Sequence, residues 1–539
     1  MAAIASVAPS LDAYTNALLG NYKWASGSLT YSFPTSYTYY ESGYGSNEPL
    51  RNFEGLNATQ QGVVRAAFAN FAAVANVTFT ELTGASAANA TLRLAMSDAP
   101  NTAWAYMPHT APEGGDGWFN NASGLYDNPH KGNYAYTTFL HEIGHALGLE
   151  HPHEKGMPAG GDSMEFSVMS YRAYVSAPLT GYPNESEGFA QSLMMYDIAA
   201  VQHLYGANFS SNSGNTTYSW SPTTGQAFIN GVGQATPGAN RIFQTVWDGG
   251  GTDTYDFSNY ATALDIDLRP GQWTTTSGAQ FARLHYNGSQ IAEGNIANAL
   301  QYNGDVRSLI ENAVGGGGDD FIVGNAANNR LWGGLGNDSL FGGEGSDTLY
   351  GGPGNDDLDG GTGEDWVILS GSSASYSWSF SGFETWTLTD LNGADGTDHL
   401  LRIEWLQFAD RSVSLINSAP VIAASNQTLA KGSNVDVTSL FSASDADGDA
   451  LTAYQFWDDN GAASSGHFVV GGVGQPSGVW AGNPIEVSAA QIGNAQFEAG
   501  AGTDKLWVRA YDGFEWSAWK SFEVMAPASA FGGNSELLA

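Results

Sequence analysis

Six consecutive segments of nine residues share one pattern between residues 315 and 368, and no other feature of this chain restricts its fold more strongly. Each has a glycine-rich turn, an acidic or amide residue at its sixth position and an apolar residue two positions later. A fixed period of this kind predicts a stack of equivalent turns. The apolar side chains expected inside the stack include Leu331, Leu340, Leu349 and Leu358.

The acidic residues of these turns predict bound cations. Residues 315–368 contain ten carboxylates and one base, Arg330. Stacked turns would repel one another unless a cation such as calcium were shared by aspartate and backbone carbonyl oxygens. A flexible Gly/Asp linker is the alternative, which six repeats in register disfavour. The pattern resembles the RTX nonapeptide, and this resemblance implies a right-handed parallel β-roll with calcium at Gly316, Gly318, Asp320, Asn325, Ala327, Asn329, Gly334, Gly336, Asp338, Gly343, Gly345, Asp347, Gly352, Gly354, Asp356, Gly361, Gly363 and Asp365.

Composition limits the functions that this chain can have. Its 539 residues include 18 Lys+Arg and 54 Asp+Glu, a formal charge of −36, which disfavours binding to nucleic acid or anionic lipid. Cysteine is absent, so any zinc must be held by histidine or carboxylate. No apolar run of about 18 residues predicts a membrane span, and the start of the chain lacks the pattern of a conventional signal peptide.

A second motif carries the chemistry. His141 and His145 are four residues apart in a helical pattern, so both project from one face and can reach one metal ion. Gly148 lets the chain leave the helix sharply, and His151 can return as a third ligand. Glu142 lies where a carboxylate can exchange a proton with zinc-activated water, as in peptide hydrolysis. A chance cluster of histidines is the alternative, which the full eleven-residue spacing makes improbable.

This segment resembles a known family. Residues 141–151 fit the extended metzincin pattern, and Pro152 is typical of its serralysin branch. In Ser-Val-Met-Ser-Tyr at 167–171, the resemblance implies that Met169 forms the Met-turn beneath the zinc ligands and that Tyr171 supplies a phenol near the metal. One catalytic zinc ion and several structural calcium ions are therefore expected, with Glu142 and Tyr171 as catalytic residues.

Other stretches extend the resemblance to about residue 368. Residues 103–108 are similar to the strand that aligns an extended substrate in serralysins, and 194–208 are similar to the end of their protease domain. Two short segments, around residues 247–253 and 310–313, are similar to flanking calcium positions of that family. The residues implied there are Asp248, Gly250, Gly251, Asp253 and Glu311.

The predicted fold class is multidomain, α/β followed by all-β, because helical periodicity ends near residue 208. We expect a metzincin protease domain, a calcium-binding parallel β-roll and a carboxy-terminal β-sandwich of cadherin-like or immunoglobulin-like type. Its tryptophans at 457, 507, 516 and 519 are expected in the core. The predicted boundaries are a leader or pro-segment at 1–20 that nothing fixes, the protease domain at 21–208, the roll at 209–370, a cap at 371–417, the sandwich at 418–525, and a tail and candidate secretion signal at 526–539.

The leading hypothesis is a secreted zinc endopeptidase of serralysin type that acts on protein or peptide substrates and is stabilised by calcium. The resemblance implies export by a type I secretion system and extracellular folding in calcium. The acidic composition predicts a monomer. The alternative is a surface-associated, calcium-dependent binding protein with a vestigial protease domain. A cell-surface ligand for residues 420–524 is compatible with both.

Overall fold

The computed structural model describes residues 2–393, 395–476 and 482–527. Most regular structure in these residues is β-strand, with few helices, which confirms the predominance of sheet. The chain divides into two compact units, residues 1–413 and 414–539. Most of the tail that contains the candidate secretion signal, from residue 528 onward, lies outside the described residues. No described helix is long and apolar enough to cross a membrane.

The first unit contains the α-helices of the described chain. The second of them begins at a reciprocal cap, in which Asn57 Oδ1 accepts from Gln60 N at 3.0 Å and Gln60 Oε1 accepts from Asn57 N at 2.6 Å. Its buried face packs into the core with the third helix, which ends at Gly148 in a left-handed conformation, φ 114°. The four helices are α1 Ala13–Asn16, α2 Ala58–Val74, α3 Tyr134–Leu147 and α4 Met195–Tyr205.

A six-stranded sheet lies in the same core. Its long strands run parallel, and the strand Ala103–Ala105 closes one edge in the antiparallel direction. This segment is hereafter the edge strand. In sheet order the strands are Thr78–Glu81, Ser28–Ser32, Leu92–Ser97, Gly117–Asn120 and Ala103–Ala105, with Glu54–Gly55 paired to Leu92–Ser97.

Residues 2–20 are held by strand pairing and by a buried leucine, so the expectation that nothing fixes them is wrong. Strand Ile4–Ser6 pairs with Tyr22–Trp24, and Leu18 is fully buried in the core. The backbone N–H of Glu150 donates to Leu18 O at 2.9 Å, beside the loop that carries His151. These contacts join residues that are distant in sequence, so no local periodicity indicates them.

Strands between residues 217 and 414 wind into a stack of parallel turns with two main sheets, called the coil below. Leu331 pairs in parallel with Leu349, and Leu340 with Leu358, so each complete turn takes 18 residues, or two nine-residue segments. These four leucines are buried inside the coil. One sheet contains, in order, Val232–Gly233, Ala227–Ile229, Thr217–Trp220, Thr254–Asp256, Asn312–Val314, Arg330–Trp332, Thr348–Tyr350, Trp366–Ile368, Trp405–Gln407 and Ser412–Ser414. The other contains Asp265–Asp267, Phe321–Val323, Ser339–Glu344, Asp357–Thr362, Thr397–Leu401, Thr385–Asp390 and Tyr376–Gly382, and a small third sheet contains Gln244–Val246, Ile296–Asn298 and Trp273–Thr274.

The second unit has its own apolar core, which includes Phe456, Phe497 and Val508. The four tryptophans expected in this core are instead half-buried; Trp457 and Trp507 stack on each other at 4.9 Å. Trp457 and Trp507 alternate with the core residues Phe456 and Val508 along their strands and so lie on the opposite sheet face. The sheets are Gln427–Thr428, Lys520–Ala526, Gly502–Tyr511, Ala453–Asp458 and Ile485–Ser488; Asn434–Asp436, Ala495–Glu498, His467–Val470 and Val473–Gly474; and Val421–Ala424 with Phe441–Ser444.

Candidate functional site

The three predicted zinc ligands converge on one point. His141 and His145 project from α3, and His151 follows the turn at Gly148. Their Nε2 atoms are 3.1 Å apart for His141 and His145, 3.2 Å for His141 and His151, and 2.9 Å for His145 and His151. Nitrogen ligands at about 2.0–2.1 Å from a tetrahedral zinc ion lie about 3.3 Å apart. The spacing therefore fits one zinc ion.

Protons on these rings are fixed by backbone carbonyl groups. His141 Nδ1 lies 2.8 Å from Val168 O, and His145 Nδ1 lies 2.7 Å from Leu149 O. A carbonyl oxygen only accepts, so each Nδ1 of a neutral ring must donate and each Nε2 carries a lone pair. Lone pairs about 3 Å apart repel unless a cation lies between them. The donor set thus fits a metal ion on chemical as well as geometric grounds.

Burial favours the neutral histidines that a metal requires. It lowers the pKa of His141 to about 3, with a smaller contribution from the charge of His151, and lowers the pKa of His145 well below its usual value. Burial also raises the pKa of Glu142 to about 8, and a hydrogen bond from the Ala105 backbone opposes that rise. Glu142 Oε2 is buried and has no partner among the described residues. One carboxylate oxygen is therefore free beside the histidines.

The predicted Met-turn packs under α3. Met169 is fully buried, and a Cβ built on Gly144 would lie 2.6 Å from Met169 Sδ, so the glycine permits this close approach. Asp197, at the start of α4, holds the turn: its carboxylate accepts from Ser167 Oγ at 2.6 Å and from Val168 N at 2.8 Å. Because Val168 O accepts from His141, Asp197 acts on the ligand through the turn. Sequence reasoning missed Asp197, because neither its burial nor its contact with the Met-turn is visible in the sequence.

Tyr171 lies over the histidines. Its ring centroid is 4.4 Å from that of His151 and 5.7 Å from that of His141. The residue is 37% exposed, and burial of its hydroxyl raises its pKa to about 12, so the phenol keeps its proton. The ring of His153 lies 5.1 Å from that of Tyr171 and stacks on that of His151 at 5.4 Å.

Glu48 positions the edge strand, a role that sequence reasoning missed. This fully buried carboxylate accepts from Tyr106 OH at 2.5 Å and from Trp104 Nε1 at 3.2 Å. Trp104 and Tyr106 are alternate residues and so lie on one face of the strand. Between them, the Ala105 backbone lies close enough to Glu142 to lower the pKa of its carboxyl group. The edge strand is therefore held in place beside the candidate active site.

A cavity of about 560 Å³ opens beside Glu142. His141 and Tyr171 contribute to its wall at the histidine end. The rest of the lining is largely apolar or aromatic and includes Leu125, Tyr134, Val168, Leu179, Tyr182 and Phe189. A cavity of this kind can accept a large apolar side chain.

The predicted calcium positions that precede the repeats also come together. Asp253 N donates to Glu311 Oε2 at 2.7 Å, and the charges of Asp248 and Glu311 add to burial in raising the pKa of Asp253. Asp253 Oδ2 is buried without a partner in the described structure. Gly250 and Gly251 take positive φ angles of 137° and 148° in the same turn. Three carboxylates with a free oxygen fit a hard cation.

Aspartates of the repeats form two continuous ladders. Asp320 N donates to Asp338 Oδ1 and Asp338 N to Asp356 Oδ1, both at 2.8 Å, and Asp347 N donates to Asp365 Oδ1 at 2.7 Å in the other row. In Asp338, Asp347, Asp356 and Asp365, the Oδ2 atom is buried without a partner among the described residues. Burial raises the pKa of all four, to about 7 for Asp338 and Asp347. Buried carboxylates are stabilised by a shared cation or by protonation.

The second repeat is different. Asn329 takes the ladder position of an aspartate, since its N–H donates to Asp347 Oδ1 at 2.7 Å, but its amide donates to Glu311 O. Asn325 donates through its side chain to Leu268 O and Ile310 O, and its Oδ1 accepts from Ala327 N. Both amide side chains are therefore hydrogen-bonded to protein groups, and this repeat supplies no free carboxylate oxygen.

Both ladders continue beyond the six repeats. Asp356 N donates to Asp398 Oδ1 at 3.0 Å, and Asp365 N donates to Glu404 Oε2 at 2.7 Å. Leu400 pairs with Leu358 as a further rung and is buried. A hairpin of strands Tyr376–Gly382 and Thr385–Asp390 separates this rung from the repeats. Sequence reasoning missed Asp398 and Glu404, although Gly396, Asp398 and Leu400 keep the spacing of the glycine, aspartate and leucine in the third, fourth and fifth repeats.

Turn glycines allow this stacking. Gly334 has φ 116°, and a Cβ built there would lie 2.1 Å from Gly316 O in the preceding turn. The backbones therefore approach more closely than any side chain would permit. The remaining predicted glycines, at 318, 336, 343, 345, 352, 354, 361 and 363, occupy the corresponding places in their turns.

These features describe one class of protein, in which three histidines, two of them buried, lie beside a glutamate and are followed by an acidic, glycine-rich parallel coil. Comparison with known proteins shows which family this class resembles. Residues 207–379 match the family model described as Peptidase M10 serralysin C terminal. The relatives include Metallopeptidase AprA of Pseudomonas marginalis, 35% identical over 56% of this chain and 61% of its own length.

Two further relatives carry the serralysin name. Serralysin C of Dickeya chrysanthemi is 36% identical over 55% of this chain and 59% of its own length. Serralysin of Photorhabdus laumondii is 32% identical over 60% of this chain and 65% of its own length. The chain thus spans 59–65% of the length of these curated relatives. The predicted resemblance to serralysin-type metalloproteases is confirmed.

Proposed function

We propose that this protein is a zinc-dependent endopeptidase of serralysin type. The observation that carries the proposal is the convergence of three Nε2 atoms within 2.9–3.2 Å of one another, beside the free oxygen of Glu142. His141, His145 and His151 would hold the zinc ion. Zinc bound there would supply Lewis-acid activation of a water molecule and of the scissile carbonyl.

The protein groups then have separate roles. Glu142 takes the proton of the attacking water and delivers it to the leaving amine, for which a pKa near neutrality is suited. Tyr171, protonated at neutral pH, donates a hydrogen bond to the oxygen on which negative charge develops. Asp197 and Glu48 are positioning residues, which act through the Met-turn and the edge strand.

The substrate would be an extended polypeptide. The edge strand has one neighbour in its sheet, so it can pair with a substrate backbone. The cavity beside Glu142 would then take a large apolar side chain next to the scissile bond. Peptides with leucine or phenylalanine there are expected to be cleaved faster than peptides with aspartate.

Calcium would stabilise the coil. The free oxygens of Asp253, Asp338, Asp347, Asp356 and Asp365 are the strongest candidates for calcium ligands. Their ladders extend the proposed set to Asp398 and Glu404 in the segment first assigned as a cap. We propose that the coil folds outside the cell, where calcium is abundant, after type I secretion. The predicted domain boundaries remain part of this proposal.

The test is hydrolysis of an unfolded protein by the full chain in millimolar calcium. Glu142→Gln should lower kcat by about 10²–10⁴-fold while one zinc ion stays bound, because only the proton carrier changes. Glu54→Gln is the matched control, since Glu54 is an exposed glutamate in the same unit, and should keep wild-type kcat.

Full activity of the Glu142→Gln protein would contradict the mechanism. A zinc-loaded wild-type protein that cleaves no peptide would contradict the proposed activity. That outcome would favour the alternative, a surface-associated binding protein with a vestigial protease domain.

A further inference from the structure

Two carboxylates lie inside the second unit. Asp458 ends the strand Ala453–Asp458 on the same face as Phe456, and Asp504 lies on the adjacent strand in phase with Leu506. Phe456 and Leu506 belong to the apolar core. Asp458 is 0% exposed and Asp504 is 1% exposed. Both acids therefore occupy interior positions at one end of the unit.

One loop, residues 459–466, joins the two carboxylates. Asn460 N donates to Asp458 Oδ1 at 2.9 Å, and Asn460 Nδ2 donates to Asp504 Oδ1 at 2.9 Å. Asp504 Oδ2 accepts from Gly466 N at 2.9 Å. Asp458 Oδ2 is buried and has no partner in the described structure. This oxygen is therefore free to bind a further group inside the cluster.

Burial of these two carboxylates is energetically unfavourable unless a positively charged group lies beside them. The charge of Asp504 adds to burial in raising the pKa of Asp458 to about 7. No described lysine, arginine or histidine forms an ion pair with either acid. Buried anions are generally paired, protonated or bound to a metal. Carboxylate and carbonyl oxygens are ligands for hard cations, and an irregular loop suits the flexible coordination of calcium better than the strict octahedron of magnesium.

We propose that Asp458 and Asp504 bind a calcium ion in the interior of the second unit, beneath the loop 459–466. The site is separate from the proposed zinc site and from the coil. The ion would bind Asp458 Oδ2 and hold the loop closed over the end of the sheet. Folding of this loop would therefore depend on calcium even where the coil has its own ions.

Hydrogen exchange of the full chain tests the proposal, since it reports on each segment separately. Wild type, Asp458→Asn and Asp436→Asn would be compared at pH 7.5 in millimolar calcium and in chelator. Asp436 is an exposed aspartate of the same unit and serves as the matched control. In wild type and control, calcium should slow exchange in residues 458–466 by about tenfold or more. In Asp458→Asn that response should be lost, and native mass spectrometry should count one calcium ion fewer.

Two results would overturn the proposal. The first is exchange in residues 458–466 that is identical in calcium and chelator while coil peptides respond to calcium. The second is protection that follows acidification alone, which would assign a shared proton to the two acids. If Asp458→Asn does not fold, the wild-type comparison still decides, because it requires only the calcium response of the loop. Loss of protease activity has no bearing on either result.

Discussion

Two glycines, each in the interior of a helix, allow a controlled test of packing beneath the histidines. Gly62 in α2 is exposed, and a Cβ built there has nothing within 4 Å. Gly144 in α3 is buried, and the same Cβ would lie 2.6 Å from Met169 Sδ and 3.4 Å from Leu149 Cδ1. The perturbation is the same substitution, Gly→Ala, at each position. Only the second should disturb the candidate active site.

The expected magnitudes follow from this difference. Alanine is favoured over glycine in a helix interior by about 1 kcal/mol, so Gly62→Ala should raise the free energy of unfolding by about that amount. Gly144→Ala gains the same propensity but overpacks Met169, at a cost of about 1–3 kcal/mol. Because the helix contribution cancels, the two variants should differ by about 1–3 kcal/mol. Displacement of the Met-turn should also move Val168 O away from His141 and weaken zinc binding by about tenfold.

Urea unfolding followed by the helical circular dichroism signal measures the first quantity, in chelator so that metal binding does not contribute. Competition with a chromophoric chelator measures zinc affinity separately. Both helices share one core, so the two variants report on the same cooperative structure. The reasoning would be refuted if Gly144→Ala were as stable as Gly62→Ala and bound zinc equally well.

Three predictions concern the coil. Burial raises the pKa of Asp338 and of Asp347 from 3.8 to about 7, so the calcium-free fold favours their protonated forms. Their contribution to stability should be complete below about pH 4 and lost as the pH rises through about 7, whereas calcium should stabilise most above pH 7; thermal unfolding in chelator that is more stable at pH 8 than at pH 5 would contradict this sign. Asp398→Asn should reduce the calcium-dependent rise in Tm, while Asp357→Asn, whose side chain is 69% exposed, should not; equal effects would argue against the extended ladder. Leu349→Ala should lower the free energy of unfolding in calcium by about 2–5 kcal/mol, measured by urea unfolding, because this side chain is fully buried; a change below about 1 kcal/mol would indicate that the coil interior is loosely packed.

Much of the candidate site was predictable because its information is local. His141 and His145 are one helical turn apart, and any α-helix with that spacing places both on one face. The groups that orient these histidines were not predictable. Val168 and Asp197 are distant from α3 in sequence and come close to it only when the domain packs. Glu48 is a further case, because nothing near it in the chain indicates that it accepts from Trp104 and Tyr106.

Local periodicity likewise explains what the sequence predicted of the fold. The nine-residue repeats alone predicted a stack of turns with buried leucines, because each turn pairs with turns of the same pattern. The place of Asp398 and Glu404 in the ladders depends on long-range packing, since a hairpin separates them from the repeats. The same is true of Trp457 and Trp507, which lie outside the core of the second unit, and of Asp458 and Asp504, which lie within it. Strand phase relative to a sheet face sets those positions, and that phase is fixed by pairing between distant segments rather than by spacing along the chain.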